Sequence, residues 1–160
     1  MKASTLMISK VTILALAASL FPINQAISDE SSSHSDKKPL ITVYKSATCG
    51  CCKSWVSYLE QRGFVVNAIN HDNVDAIKAE LGLTDPSLKS CHTALVDGYV
   101  IEGHVPVNDI ARLLSERPNA VGLTAPGMPM MSPGMSSLIP KDYDVLLFKK
   151  NGKSRVYSSY

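Results

Sequence analysis

The chain has 160 residues, a length typical of one domain, and it carries 16 basic and 14 acidic residues. Two lysines before residue 29 account for the positive excess, so the rest of the chain has equal numbers of basic and acidic side chains. A neutral chain has no general electrostatic attraction to nucleic acid or to an anionic membrane, and neither is an expected partner.

The N-terminal stretch has the pattern of a secretory signal peptide. Lys2 and Lys10 supply positive charge, and residues 11–21 form an apolar run that is too short to span a bilayer. Ala26 and Ser28 are small residues at the spacing of a signal-peptide cleavage site.

The chain therefore has three predicted parts. We expect residues 1–28 to be a cleaved signal peptide, residues 29–38 to be a Ser-rich, charged and flexible tether, and residues 39–160 to form the domain. An N-terminal anchor that is not cleaved is the alternative for the first part.

The domain begins with a predicted strand that is followed by three of the four cysteines. Residues 41–45 are β-branched and aromatic, as in a short buried strand, and an amphipathic helix extends to about Arg62. Cys49, Cys51 and Cys52 therefore lie at the N-terminus of a helix, where free N–H groups and the helix dipole favour thiolate over thiol. The pattern indicates a site for reactive or metal-binding sulfur.

Further elements are predicted over residues 64–69 (strand), 72–81 (helix), 93–96 and 99–104 (strands joined at Asp97-Gly98), and 107–116 (helix). The order β-α-β-α-β-β-α, with Cys-x-x-Cys formed by Cys49 and Cys52 after the first strand, predicts an α/β, thioredoxin-like domain. A methionine-rich loop and a terminal hairpin turned at Asn151-Gly152 are expected to follow it.

Four cysteines in an exported chain can also form two structural disulfides. The close spacing of Cys49, Cys51 and Cys52 argues against this, because such bridges close tiny loops that constrain the unfolded chain little. Cys91 precedes the strand at 93–96, where thioredoxin-like proteins carry a cis-proline that packs on the Cys-x-x-Cys turn. We therefore expect four sulfur atoms to converge from two loops, which is more than disulfide exchange requires.

Metal binding explains the extra pair of cysteines. Thiolate clusters select soft ions such as Cu(I), and zinc also accepts four sulfur ligands. Adjacent Cys51 and Cys52 cannot readily chelate one ion in tetrahedral geometry, so we favour a small cluster in which they bridge several copper ions.

The histidines offer further candidate ligands. His104 ends the second strand of the predicted hairpin, at the active-site end of a thioredoxin-like fold, and is equally compatible with a supporting ligand or an ordinary hydrogen-bonded histidine. His92 is expected to point away from Cys91 on an extended backbone, and His71 is expected to be a loop residue near a helix cap.

Residues 126–135 contain all four methionines that follow the predicted cleavage site: Met128, Met130, Met131 and Met135. Proline and glycine exclude regular helix or strand in this stretch. Thioethers are soft copper ligands that resist oxidation better than thiols, but methionine also fills irregular gaps in packed loops. The methionines of this loop can therefore either contact copper or pack within the loop.

Several of these segments resemble the CopG-type periplasmic copper-resistance proteins. The strongest is Cys49-Gly50-Cys51-Cys52 within residues 43–55, and the others lie at residues 90–94, 98–106, 127–129 and 132–135. The resemblance implies a thioredoxin-like domain that binds copper through its cysteines, with redox activity between Cu(I) and Cu(II) or between thiol and disulfide. Met130-Met131 departs from the family pattern, and the terminal hairpin lies beyond the matched region.

We therefore predict a periplasmic copper protein for resistance or copper handling, with Cys49, Cys51, Cys52, Cys91 and His104 as ligands. Cys49 and Cys52 form the predicted redox pair, with Cys49 the more exposed and nucleophilic because it begins the turn. Expected partners are copper ions and other periplasmic copper-handling proteins. The alternatives are a thiol–disulfide oxidoreductase that acts on proteins through Cys49 and Cys52, and a passive copper store. The sequence leaves open whether the protein is an enzyme.

Overall fold

The structure, a computed structural model, describes residues 39–137 and 139–160. These contain seven strands, β1 (Leu40–Lys45), β2 (Val65–Asn70), β3 (Thr93–Val96), β4 (Tyr99–Glu102), β5 (Gly122–Thr124), β6 (Asp144–Phe148) and β7 (Ser154–Ser159), and three helices, α1 (Gly50–Glu60), α2 (Val74–Glu80) and α3 (Val107–Glu116). The strands form one mixed sheet in the order β2-β1-β3-β4-β5-β6-β7. The predicted signal peptide and tether, residues 1–28 and 29–38, lie outside the described residues.

The register of the sheet brings several chain segments to one edge. Tyr44 near the end of β1 pairs with Thr93 at the start of β3, and Thr93 pairs with Glu102 at the end of β4. Glu102 in turn pairs with Thr124 at the end of β5. The segments that follow β1, β4 and β5, and the segment that precedes β3, therefore leave the sheet at the same edge.

Helix α1 begins at the cysteine motif because Cys49 caps it. Cys49 has extended backbone geometry, and its Sγ accepts the N–H of Cys52 over 3.3 Å. Cys52, Trp55 and Leu59 follow at helical spacing on the buried face of α1. The indole of Trp55 donates to the carbonyl oxygen of Val105 over 3.0 Å, which fixes the helix against the segment after β4.

Apolar side chains cover both faces of the sheet. On one face, α1 and α3 pack Trp55, Leu59, Ile110 and Leu113 against alternate strand residues. The other strand residues, such as Val100, point to the opposite face of the sheet. There Val100 forms a smaller apolar cluster with Leu83, Leu88 and Phe148. Burial of each large apolar side chain contributes roughly 1.5–3 kcal/mol, so this two-sided core holds the edge that carries the cysteines.

The predicted element order from β1 to α3 is found, and β3 and α3 have the predicted bounds. Strand β4 ends at Glu102 instead of residue 104, because Gly103 has a φ of +73° and turns the chain out of the sheet. The terminal hairpin at Asn151-Gly152 is present as β6 and β7. Strand β5 has only three residues, too few for an alternating pattern to predict it.

In the part of the chain that the structure describes, no helix has the length and apolar character needed to cross a membrane.

Candidate metal centre

The four cysteines converge, as the sequence predicts. Cys49, Cys51 and Cys52 lie at the start of α1, Cys91 lies just before β3, and their four Sγ atoms are all within 4.8 Å of one another. Cys49 and Cys52 form a disulfide, while Cys51 and Cys91 are free thiols. The Cys51 Sγ lies 3.5 Å from that of Cys49, and the Cys91 Sγ lies 3.5 Å from that of Cys52. The four sulfur atoms therefore form one compact group, with the two free thiols beside the disulfide.

The two sulfurs of the disulfide differ in exposure. Cys52 is fully buried, whereas Cys49 is partly exposed at the helix N-terminus. This agrees with the predicted order of exposure in the pair. A reactant that arrives from solvent therefore meets Cys49 before Cys52.

His104 joins the sulfur group from the segment after β4. Its Nε2 lies 3.3 Å from the Sγ of Cys91, and its Nδ1 lies 2.7 Å from the carbonyl oxygen of Pro133. A carbonyl oxygen can only accept a hydrogen bond, so Nδ1 carries the proton and Nε2 presents its lone pair to Cys91. A histidine held in this tautomer is suited to ligate a metal ion through Nε2.

His92 also belongs to this group, and the prediction that it points away from Cys91 is wrong. Its Nδ1 lies 3.4 Å from the Cys91 Sγ, and its ring lies against Trp55, with ring centroids 4.4 Å apart. The alternation rule fails because residues 90–92 form a bend outside any regular strand. The Nε2 of His92 is buried without a hydrogen-bond partner among the described residues, so this nitrogen is available for an interaction that those residues do not supply.

His71 lies where the sequence predicts. Its Nδ1 accepts the N–H of Asn73, the residue that caps α2. It therefore has a local structural role at the start of that helix.

The methionine-rich loop approaches the site through its main chain. Pro133 accepts the hydrogen bond from His104, and Gly134 lies directly against the backbone of Trp55 in α1. Ser90 and Gly127 form an isolated bridge at the other end of the loop. Met128 and Met130 are more than half exposed, so they extend into solvent from a loop that is fixed beside the cysteines.

Burial governs the protonation of the two histidines. It lowers the pKa of His92 well below the ordinary value of 6.5, with His104 and Lys78 as further causes, and it also lowers the pKa of His104. Both rings are therefore neutral near pH 7, which is the form that binds metal ions.

We expect the copper-free protein to lose stability when the pH falls below about 6.5, because the unfolded histidines then bind protons that the buried ones do not. The loss should reach about 1.4 kcal/mol per pH unit for each histidine until the pH reaches the lowered pKa of the folded state. Urea unfolding at a series of pH values measures this slope. His92→Phe retains an aromatic ring against Trp55 and should give a shallower slope; a slope equal to that of the wild type would contradict the assignment.

Burial has the opposite effect on the thiol beside them. It raises the pKa of Cys91 to about 11, and the nearby Cys51 adds to the shift. At pH 8 the Cys91 side chain is then almost entirely protonated. The thiol is held protonated until a metal ion or a base takes its proton.

We therefore expect iodoacetamide to modify Cys91 far more slowly than Cys51 in the copper-free, disulfide-bonded protein, because thiolate is the reactive species. Timed alkylation at pH 8 with peptide mass mapping measures both rates in one sample. In urea the two thiols should react at similar rates. Similar rates in the folded protein would show that Cys91 is not shielded.

Comparison with known proteins places these residues in a family. A family model described as "Protein of unknown function, DUF411" matches residues 88–135, which include Cys91, His92 and His104. No curated protein matches the chain. Two solved structures, titled "Copper resistance protein copG", Form 2 and Form 1, are each 41% identical with a TM-score of 0.71. The match covers 78% of this chain and 99% and 98% of those chains, respectively. At this identity and coverage, the chain belongs to the CopG family of copper resistance proteins.

Proposed function

We propose that the protein binds Cu(I) through Cys49, Cys51, Cys52 and Cys91, with His104 as a supporting ligand, and serves copper resistance or copper handling. The observation that carries this proposal is the convergence of four sulfur atoms from two separate segments within 4.8 Å. Soft thiolate ligands select Cu(I) over harder ions. The solved relatives are named for copper resistance, which supports the choice of metal.

Copper loading is coupled to the redox state of the cysteines. In the disulfide form, Cys49 and Cys52 have no thiolate to offer, so two electrons and two protons must first convert the disulfide to two thiols. Conversely, two Cu(II) ions can each accept one electron from the two thiols, which gives two Cu(I) ions, releases two protons and restores the disulfide. The same four residues can therefore support copper cycling between its two oxidation states.

We favour several ions over one, because adjacent Cys51 and Cys52 cannot readily chelate a single ion in tetrahedral geometry. Cys51 lies beside Cys49 and Cys91 lies beside Cys52, so neighbouring Cu(I) ions can share sulfurs of this compact group. His92 and His104 both flank Cys91 at this end of the site and can complete the coordination there.

We further propose that the domain has thioredoxin-like topology and acts in the periplasm after removal of residues 1–28. The strand order β2-β1-β3-β4, with β1 parallel to β2 and β3 antiparallel to both β1 and β4, supports the topology. The signal-peptide pattern and the copper-resistance relatives support export. Other periplasmic copper-handling proteins are the proposed partners.

The test is an anaerobic Cu(I) titration of the reduced protein, with metal analysis and thiol counting on the same sample. The proposal predicts more than one copper ion per chain and protection of all four thiols from alkylation. Saturation at one ion would contradict the cluster. Absence of tight copper binding would contradict the proposed function.

The disulfide itself favours a second candidate function, thiol–disulfide oxidoreductase. A thiolate of a reduced substrate protein would attack Cys49, form a mixed disulfide and release Cys52 as thiolate; a second substrate thiolate would then release Cys49. Cys49 is the accessible sulfur of the pair at a helix N-terminus, which suits this step. Oxidation of a reduced test protein such as ribonuclease, measured without copper, distinguishes this candidate from the copper site.

A further inference from the structure

A buried ion pair lies beneath the segment that carries Cys91. Lys78 of α2 and Glu102 of β4 are 3% and 0% exposed, and the Lys78 Nζ lies 2.7 Å from Glu102 Oε1. Desolvation of two charges offsets much of their attraction, so a buried pair is weak evidence of a stabilising role. The two side chains also bind a third group.

Both side chains bind the main chain of Ser90. The Ser90 N–H donates to Glu102 Oε1 over 2.6 Å, and the Lys78 ammonium donates to the Ser90 carbonyl oxygen. The residue directly before Cys91 therefore has its N–H and its C=O held by one ion pair.

This attachment matters because residues 90–92 lie outside any helix or named strand. Their other main-chain pairings are few, namely the isolated bridge of Ser90 with Gly127 and the Gly103 N–H that donates to the His92 carbonyl oxygen. Cys91 must nonetheless keep its Sγ 3.5 Å from Cys52 and 3.3 Å from the His104 Nε2. Charge-assisted hydrogen bonds are the strongest that a side chain offers to a backbone group, and the planar carboxylate gives them direction.

We infer that Glu102, held by Lys78, is a positioning residue that fixes Cys91 at the sulfur cluster. The role of this positioning in copper binding rests on the proposed function. The position of Cys91 itself is a property of the metal-free protein. Glu102 touches no proposed ligand atom. It acts through the backbone of Ser90, as residues outside the ligand set commonly orient the ligands themselves.

The test compares K78M/E102Q with K78M/E102L. Both variants remove the ion pair together, because loss of one partner alone would leave an uncompensated buried charge. Gln retains an oxygen that can accept the Ser90 N–H, whereas Leu has similar size and no acceptor. The two variants therefore differ in the contact that the inference invokes, and thermal unfolding checks that both are folded.

The first readout is the alkylation rate of Cys91 in metal-free protein, with Cys51 of the same sample as the internal reference. We expect this ratio to rise about tenfold in K78M/E102L and to change less than about twofold in K78M/E102Q. The second readout is Cu(I) loading with its near-ultraviolet thiolate absorption. K78M/E102L should fall to the level of Cys91→Ser, while K78M/E102Q should stay near the wild type.

Wild-type ratios and wild-type copper loading in folded K78M/E102L would overturn the inference and leave the proposed copper function standing. If the wild type itself binds no Cu(I), the proposed function fails, and the alkylation ratio still decides the positioning role. If K78M/E102L does not fold, Glu102→Asp replaces it, since this variant keeps the charge for Lys78 but withdraws the carboxylate from Ser90. Wild-type behaviour of Glu102→Asp in both readouts would then overturn the inference.

Discussion

Replacement of Cys91 by serine is expected to lower Cu(I) affinity by about 100-fold or more, and to leave disulfide exchange by Cys49 and Cys52 largely intact. Cys91 is the one sulfur that does not come from the start of α1, and it lies next to both Cys52 and the His104 Nε2. A serine hydroxyl is a hard ligand that does not replace a thiolate for Cu(I). Competition with a Cu(I) chelator measures the affinity, and exchange with a small dithiol measures the redox pair.

Ser54→Ala is the matched control for this measurement. Ser54 is exposed on the same helix, and its hydroxyl bonds only to the Gly50 carbonyl oxygen, so its loss should leave copper affinity unchanged. Unchanged affinity in Cys91→Ser as well would mean that the copper site does not include the second segment.

Replacement of Gly134 by alanine is expected to destabilise the protein by about 3 kcal/mol or more and to weaken copper binding. A Cβ atom on Gly134 would lie 2.6 Å from the main-chain nitrogen of Trp55 and 2.8 Å from the Cα of Trp55, so the loop or the helix must move. Movement of the loop or of α1 costs free energy, because the atoms in contact belong to the backbone of Trp55 and not to a flexible side chain. The neighbouring Pro133 carbonyl, which sets the tautomer of His104, would move with the loop.

Gly127→Ala supplies the control from the same loop. Gly127 also has a positive φ, +69° against +86° for Gly134, but a Cβ there would meet nothing within 4 Å. Its expected cost is the backbone strain alone, about 1 kcal/mol. Urea unfolding of both variants measures the difference, and equal costs would show that the contact with Trp55 does not hold the loop.

The parts of the fold that the sequence predicts well are those with strong local patterns. The hairpin of β3 and β4 follows from the Asp97-Gly98 turn, and α3 follows from its apolar spacing between Pro106 and Pro118. The convergence of Cys91 on the other cysteines was predictable because the element order fixes which strand ends share an edge.

The parts that the sequence does not predict depend on contacts between distant segments. Lys78 and Glu102 are charged residues in a helix and a strand, and nothing local indicates that they meet in the interior. His92 lies beside Cys91 because the chain bends there and because its ring packs on Trp55. The alternation of side chains along an extended strand does not predict such a position. Such positions are set by tertiary structure, which local sequence patterns do not report.

The site is divided between two regions of the chain. The family-model match at residues 88–135 covers Cys91, His104 and the methionine-rich loop, whereas the motif at Cys49–Cys52 lies outside it. The sheet register puts the end of β1 beside the start of β3, and contacts of Trp55 with Val105 and Gly134 also join the two regions. The proposed copper binding by all four cysteines therefore requires the folded domain, and a peptide that carries either region alone would offer an incomplete ligand set.

The most direct test of the copper site is X-ray absorption at the copper edge on the reduced, Cu(I)-loaded protein. We predict a first coordination shell made mainly of sulfur, with a small nitrogen contribution that falls in His104→Ala and not in His71→Ala. A copper–copper scattering path would support the bridged cluster. A first shell dominated by nitrogen or oxygen would contradict the thiolate site.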